Sequence, residues 1–123
     1  MQEKIKITYP QNVELTREQL YWHTVARGTS LKNLDDGTLI KVDEIVSYDD
    51  LENNSKIISI LGHVWNTERE QFEAARSHFA SNSGILREDL AKIVEIFGST
   101  GITIRIIKNV SKAGRTFVTC ELA

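Results

Sequence analysis

The clearest alternation of hydrophobic and polar positions lies in residues 101–122, which read GITIRIIKNVSKAGRTFVTCEL. Two runs rich in β-branched and aromatic residues flank a short polar loop with a glycine, and this arrangement is typical of a β-hairpin. Successive strand side chains point to opposite faces, so one side of each run is apolar and belongs in a core. That side consists of Ile102, Ile104, Ile106, Val118, Cys120 and Leu122. We expect Cys120 to be a buried small hydrophobe.

The opposite side of this hairpin mixes cations, hydroxyls and one aromatic ring. It carries Thr103, Arg105, Ile107, Arg115, Phe117 and Thr119, and the predicted loop 108–115 adds Lys108 and Lys112. Cations for phosphates and rings for bases are what a single-strand-binding surface uses. An ordinary amphipathic hairpin with a solvated outer face is the simpler interpretation of the same pattern.

Two segments have helical periodicity. Thr16 and Gln19 form a capping box at the start of a predicted helix over residues 15–28, where Gly28 ends the helix and Arg27 favours its C-terminal dipole. A second helix is predicted over residues 84–97, capped by Asn82 or Ser83 and stopped by Gly98. Its apolar stripe, Leu86, Leu90, Ile93, Val94 and Phe97, is expected to pack into the core.

Strand patterns occupy the middle of the chain. Ile40 and Val42 are in phase whereas Ile45 is not, which predicts a bulge near residues 43–44. A second strand follows over residues 56–65, and Gly62 indicates a sharp bend in it. Residues 1–14 contain alternating apolar residues before a proline, so we expect an arm or a short strand there.

Residues 67–79 give conflicting signals. A second capping-box pattern and many helix-forming residues favour a helix by propensity. As a strand, the same residues complete the order strand, strand, strand, helix, strand, strand. This is the order of an oligonucleotide/oligosaccharide-binding (OB) fold, a five-stranded, partly open barrel with its helix between strands three and four. We therefore predict a mainly β protein, an OB-like barrel over residues 39–122 with an added N-terminal helix. An α+β two-layer domain is the alternative if 67–79 is helical.

Length, composition and charge limit the class of protein that this chain can be. The 123 residues suffice for a single domain, and 41% hydrophobic with 26% charged residues is ordinary globular usage. A net charge of −2 means that any attraction to nucleic acid must come from a local cluster of cations. We expect no membrane span and no secretory signal, and hence a cytoplasmic protein.

No enzyme motif accompanies these elements. Glycine-rich phosphate loops, HExxH and GxSxG are missing from the sequence, and the single cysteine excludes an internal disulfide. The three histidines are scattered over three elements without a metal-ligand pattern, which favours ordinary surface or core histidines over a metal site. We expect a non-enzymatic protein without a metal or other cofactor.

The stretches ISILGHVWN, FASNSGILREDLAKIVEIFG and ITIRIIKNVSKAGRTFVTCEL also invite a family comparison. On them the chain resembles small OB-fold proteins of the single-stranded-DNA-binding type, carried by phages and conjugative plasmids of Gram-positive bacteria. The resemblance covers residues 39–122 as an order of elements. It implies sequence-tolerant binding of single-stranded DNA in phage or plasmid DNA metabolism, such as replication or conjugation.

Such binding needs aromatic rings for bases and a basic groove for phosphates. The residues expected to bind nucleic acid are Trp65, Arg105, Lys108, Lys112, Arg115, Phe117, Lys56 and Arg76. Single-stranded DNA is the expected partner, RNA is an alternative, and a homo-oligomer is left open. The rival hypothesis is a small protein-interaction factor of a mobile element that binds a host or replication protein, which the acidic balance also fits.

Overall fold

Strands dominate the computed structural model, which describes residues 4–11, 14–26 and 28–123. The strands are β1 (Ile5–Tyr9), β2 (Thr29–Ser30), β3 (Leu39–Asp50), β4 (Ser55–Asn66), β5 (Gln71–Phe72), β6 (Ser77–Ser81), β7 (Thr103–Val110) and β8 (Thr116–Leu122). Helix α1 (Arg17–Leu20) continues as a π-helix over Tyr21–Val25, a 3₁₀ turn covers Leu31–Asn33, and α2 spans Gly84–Phe97. The prediction of a mainly β protein is confirmed.

One curled sheet contains all eight strands, with the order β2-β6-β4-β3-β7-β8 and with β1 and β5 attached to β3 and β4. Strand β3 pairs with β4 over nearly its whole length. Along its other edge it pairs first with β7, through residues 39–41, and then with β1, through residues 47–50. This change of partner along a single strand accompanies the curling of the sheet.

The change of partner coincides with a β-bulge. The register between β3 and β4 shifts between Val42 and Glu44, as the out-of-phase Ile45 predicted. Gly62 lies opposite Val42, and a Cβ atom there would come within 2.5 Å of the carbonyl oxygen of Lys41. Only glycine allows the two backbones to approach this closely.

Residues 67–79 do not form the helix that their propensity favours. The side-chain oxygen of Asn66 accepts hydrogen bonds from the backbone N–H groups of Glu68 and Arg69, and Glu70 has a φ of 51°. These contacts make a turn that leads into β5 and then β6. Phe79 is buried opposite Ile60, so tertiary packing overrides local propensity. The two-layer α+β alternative required a helix here and is wrong.

The sheet is curled like half a barrel. In the described part of the chain no ladder joins β6 to β8, the two strands whose pairing would close it. The edge of β6 that faces this gap pairs in parallel with β2, and β8 packs against α2. Two hydrogen bonds join α2 and its N-cap to β8: Ser83 Oγ donates to the carbonyl of Val118, and Thr119 Oγ1 donates to Asp89 Oδ2.

The core lies between the inward face of the sheet and α2. Leu86 and Leu90 of α2 are buried, and Ile93 and Val94 pack against the core with part of their surface exposed. The prediction that Phe97 also packs inward is wrong: its side chain is 55% exposed in the last turn, next to the exposed Ile96. The other buried side chains of the core include Leu31, Ile40, Val42, Ile60, Phe79, Ile104, Ile106 and Val118.

Cys120 lies in this core, as predicted. Burial raises the pKa of its thiol to about 12, and the nearby carboxylate of Asp89 acts in the same direction. Little thiolate therefore exists at neutral pH, which suits a structural role. Leu122, expected on the same buried side, is exposed because it lies at the very end of β8.

The N-terminal helix, which we define as residues 17–25, begins as predicted. Thr16 and Gln19 exchange the two hydrogen bonds of a capping box, at 2.9 and 3.1 Å. The helix ends at Val25, earlier than expected, and Arg27 lies outside the described residues. Among the helices of the described residues, none has the length and apolar character needed to cross a membrane.

We predict that Gly62→Ala lowers the free energy of unfolding by about 1 to 3 kcal/mol, because the added methyl group overlaps the backbone of β3. Urea denaturation measures the change. The matched control is Gly84→Ala at the start of α2, where the nearest neighbour of an added Cβ is Arg87 Nη2 at 3.6 Å. The control should leave stability unchanged or slightly raised. Equal stability of Gly62→Ala and the wild type would contradict the close approach.

Candidate nucleic-acid interface

The candidate interface lies on the outward face of the sheet, which is opposite the core. Leu39 pairs with Arg105, and Arg105 pairs with Glu121, so these side chains form a row on that face. Ile40 and Val64 are paired, and both side chains point to the inward face. Because side chains alternate along a strand, the next residue of β4, Trp65, points outward beside Leu39. Phe117 lies outward opposite Asn109. Arg105 and Phe117 thus lie on one side of the hairpin, as the alternation predicted, and Trp65 lies on the same outward face.

We call the outward surface formed by Leu39, Lys41, Trp65, Arg105, Asn109 and Phe117 the open face. Phe117 is half-buried, and Trp65 is half-buried with its ring edge-on to Phe72 at 5.1 Å between centroids. Trp65 and residues 33–39 line a groove of about 490 Å³ beside this face. Both rings therefore keep part of their surface accessible.

Arg105 has a carboxylate partner on the open face. Its Nη1 lies 2.7 Å from Glu121 Oε1, and both side chains are about half exposed. Ion pairs this exposed contribute little to stability, so a phosphate could replace the carboxylate at low cost. The neighbouring Glu121 nevertheless weakens the attraction of this position for an anion.

The hairpin tip, residues 111–115, carries two cations. Ser111 N–H donates to the carbonyl of Arg115 and Gly114 N–H donates to the carbonyl of Ser111, at 2.8 and 2.9 Å, with Gly114 at a φ of 80°. This tight turn holds Lys112 and Arg115 in solvent. Within the described residues, neither of them forms an ion pair with a carboxylate.

Lys108 does not belong to the predicted loop or to the open face. It lies in β7, which continues to Val110, and it pairs with the inward-facing Val118. Its side chain therefore leaves the hairpin on the side opposite Phe117. Its backbone N–H donates to Asp36 Oδ1 at 2.8 Å.

Lys56 and Arg76 also lie apart from the open face. Lys56 is at the far end of the β3–β4 hairpin, opposite Asp49. Arg76 Nη1 lies 3.5 Å from Glu44 Oε2, beside the N-terminal helix. The structure thus brings together five of the eight predicted residues: Trp65, Arg105, Phe117 and, at the tip, Lys112 and Arg115.

The N-terminal helix covers the other half of the outward face. His23 is buried against β4 and β6, and its Nδ1 lies 2.7 Å from Ser59 Oγ, which in turn lies 2.6 Å from His78 Nε2. At the edge of this network Gln19 Nε2 donates to Glu44 Oε1 at 2.8 Å. These polar contacts fix the helix to the sheet.

Burial sets the charge of this network. It lowers the pKa of His23 below the ordinary value of 6.5, an effect that Glu44 partly opposes. Burial and the neighbouring His23 lower the pKa of His78. Both imidazoles are therefore neutral at pH 7, and the single hydroxyl of Ser59 can donate to one and accept from the other.

Ser59, His23 and Glu44 include the residue types of a hydrolytic triad, but the geometry does not suit one. His23 Nε2 is 3.6 Å from Glu44 Oε1, and Ser59 is 0% exposed. A substrate cannot reach this hydroxyl while the N-terminal helix is in place, so we assign the network a structural role. Within the described ranges, no group of three or more histidine, cysteine, aspartate or glutamate residues could hold a metal ion.

Sequence reasoning missed two features of this surface. Lys41 is exposed on the open face between His63 and Thr103. Its position between Ile40 and Val42 in an alternating strand was a usable signal. The histidine network had no such signal, because His23, Ser59 and His78 come from three separate elements.

Comparisons with protein-family models, curated proteins and solved structures found no match to this chain. Its function must therefore be inferred from the residues themselves.

We predict that stability falls as pH is lowered below about 6.5. Both histidine pKa values are lowered in the folded protein, so below 6.5 the unfolded chain binds more protons than the folded one. Each histidine contributes at most about 1.4 kcal/mol per pH unit between 6.5 and its lowered pKa, and nothing above 6.5. Urea denaturation between pH 5 and 8 measures this slope.

The control is the double variant His23→Gln/His78→Gln, which lacks both titrating groups. Its unfolding free energy should depend less on pH over the same range than that of the wild type. An identical slope in both proteins would show that other groups cause the pH dependence.

Proposed function

We propose that this protein binds single-stranded DNA without strong sequence preference, through the open face and the hairpin tip. The observation that carries the proposal is the common outward face of Trp65, Arg105 and Phe117, with Lys112 and Arg115 at the adjoining tip. Aromatic rings can stack on any base, and cations can follow the backbone.

We also propose that the domain is an open variant of the OB barrel. What supports this is the order β3, β4, β6, α2, β7 and β8, with β3 paired antiparallel to both β4 and β7. An OB barrel has this connectivity and places its helix at the same point of the chain. In this protein β2 pairs with the edge of β6 that faces the gap.

The covered half of the outward face limits where DNA can lie. An oligonucleotide cannot contact Ser59 or His78 without displacing the N-terminal helix and breaking its buried hydrogen bonds. We therefore confine the site to the β7–β8 side of the sheet. A short site also suits the modest number of cations there, since lysine and arginine side chains neutralise the phosphates.

A protein-interaction role is the second candidate, and the exposed part of the N-terminal helix favours it. Tyr21, Trp22 and Val25 are 52%, 43% and 66% exposed, and the two rings pack edge-to-face at 5.5 Å. Neighbouring exposed apolar side chains of this kind are common at protein interfaces. They lie outside the open face, so variants can separate the two candidates.

We predict that Phe117→Ala weakens binding to a labelled oligonucleotide by about 1 to 3 kcal/mol with little change in salt dependence, because it removes stacking but no phosphate contact. Lys112→Gln or Arg115→Gln should instead reduce the slope of log affinity against log salt by about 0.7. Fluorescence anisotropy across a salt series measures both, with DNA and RNA of the same sequence.

Trp22→Ala is the matched control, since it removes an exposed ring outside the open face and should leave affinity unchanged. Melting temperatures of all variants are recorded on the same samples. Unchanged affinity of Phe117→Ala with a large loss of thermal stability would contradict DNA binding at the open face. That result would favour the protein-interaction role instead.

A further inference from the structure

A cavity of about 490 Å³ lies on the inward side of the sheet, away from the open face. One wall is the α2 face that presents Leu90, Ala91 and Val94, and the opposite wall includes Ile45 of β3 and Ile58 of β4. Tyr9, Ser47 and Gln11 complete the lining. Its size is that of a small-molecule site, and most of its walls are apolar.

Arg87 gives this cavity a permanent cation. An arginine guanidinium carries a positive charge and five N–H donors. No carboxylate of the described residues forms an ion pair with it, and its buried Nε finds no hydrogen-bond acceptor among them. A buried N–H without an acceptor costs free energy, so a ligand that supplies one is favoured.

The end of the cavity farthest from Arg87 carries a carboxylate, that of Glu95. Arg87 and Glu95 line the cavity from the same face of α2, eight residues and thus about 12 Å apart along the helix axis. Glu95 is exposed and lies at the solvent side. A ligand with one anionic head near Arg87 and an apolar body along Leu90, Ala91 and Val94 matches this layout, whereas a second anionic group near Glu95 does not.

We propose that this cavity binds a small monocarboxylate with an apolar body, such as a medium-chain fatty acid, with the carboxylate on the Arg87 guanidinium. Guanidinium and carboxylate groups form charge-assisted hydrogen bonds in a forked geometry. Ile45, Ile58 and Val94 then cover the apolar body of the ligand. This site is independent of the proposed DNA-binding surface.

Titration calorimetry with octanoate, kept below its micellar concentration, tests the proposal on the full chain. The wild type should bind octanoate at least tenfold more tightly than octylammonium, which has the same apolar chain and the opposite charge. Arg87→Gln should weaken octanoate binding by roughly ten- to hundredfold, as expected for loss of a charged hydrogen-bond partner. Lys92→Gln, at an exposed position of α2, is the matched control and should bind octanoate like the wild type.

Ala91→Phe provides a second variant that keeps Arg87 and fills the cavity, and it should abolish octanoate binding. The thermal melt of each variant is compared with that of the wild type. Three results would overturn the proposal: no binding of octanoate by the wild type, equal affinity for octanoate and octylammonium, or octanoate binding by Arg87→Gln as tight as that by Lys92→Gln. The first two use the wild type alone, so they hold even if a variant fails to fold.

Discussion

The close approach of β4 to β3 at Gly62 is the constraint on which the shape of this protein depends. It lies beside the bulge between Val42 and Glu44, where β3 exchanges one neighbour, β7, for another, β1. A regular ladder at this point would keep β3 straight and paired with one strand along each edge. The bulge and the glycine together let the sheet curl and leave an inward face that α2 can cover.

Curling divides the molecule into surfaces of different character. On the outward face, buried polar contacts through His23 hold the N-terminal helix over one half, and the other half remains open around Trp65, Arg105 and Phe117. On the inward face, α2 covers the core but leaves the cavity beside Arg87. The two proposed ligands would therefore bind on opposite sides of the sheet without competing.

Periodicity and capping rules predicted much of this fold from the sequence. Alternation in the C-terminal hairpin indicated its buried side down to Cys120, the phase change at Ile45 indicated the bulge, and the capping box at Thr16 located the first helix. Each of these signals arises within a few neighbouring residues, which is why it could be read without a structure.

Contacts between distant residues explain the main error and the features that were missed. Packing of Phe79 against the core turned a helix-prone segment into a strand. Lys108 is a local error instead, because alternation from Ile106 already places its side chain opposite Phe117 and only the end of β7 was set too early. The cavity beside Arg87 and the histidine network join elements far apart in the chain. No local pattern reports such contacts.

Ultraviolet cross-linking of the protein to a thymine-rich oligonucleotide, followed by mass spectrometry, tests the central claim most directly. The account predicts cross-linked peptides that contain Phe117 and Trp65, because their rings would stack on bases. Cross-links at Tyr21 and Trp22 instead, or no cross-links under conditions where the oligonucleotide binds, would contradict it.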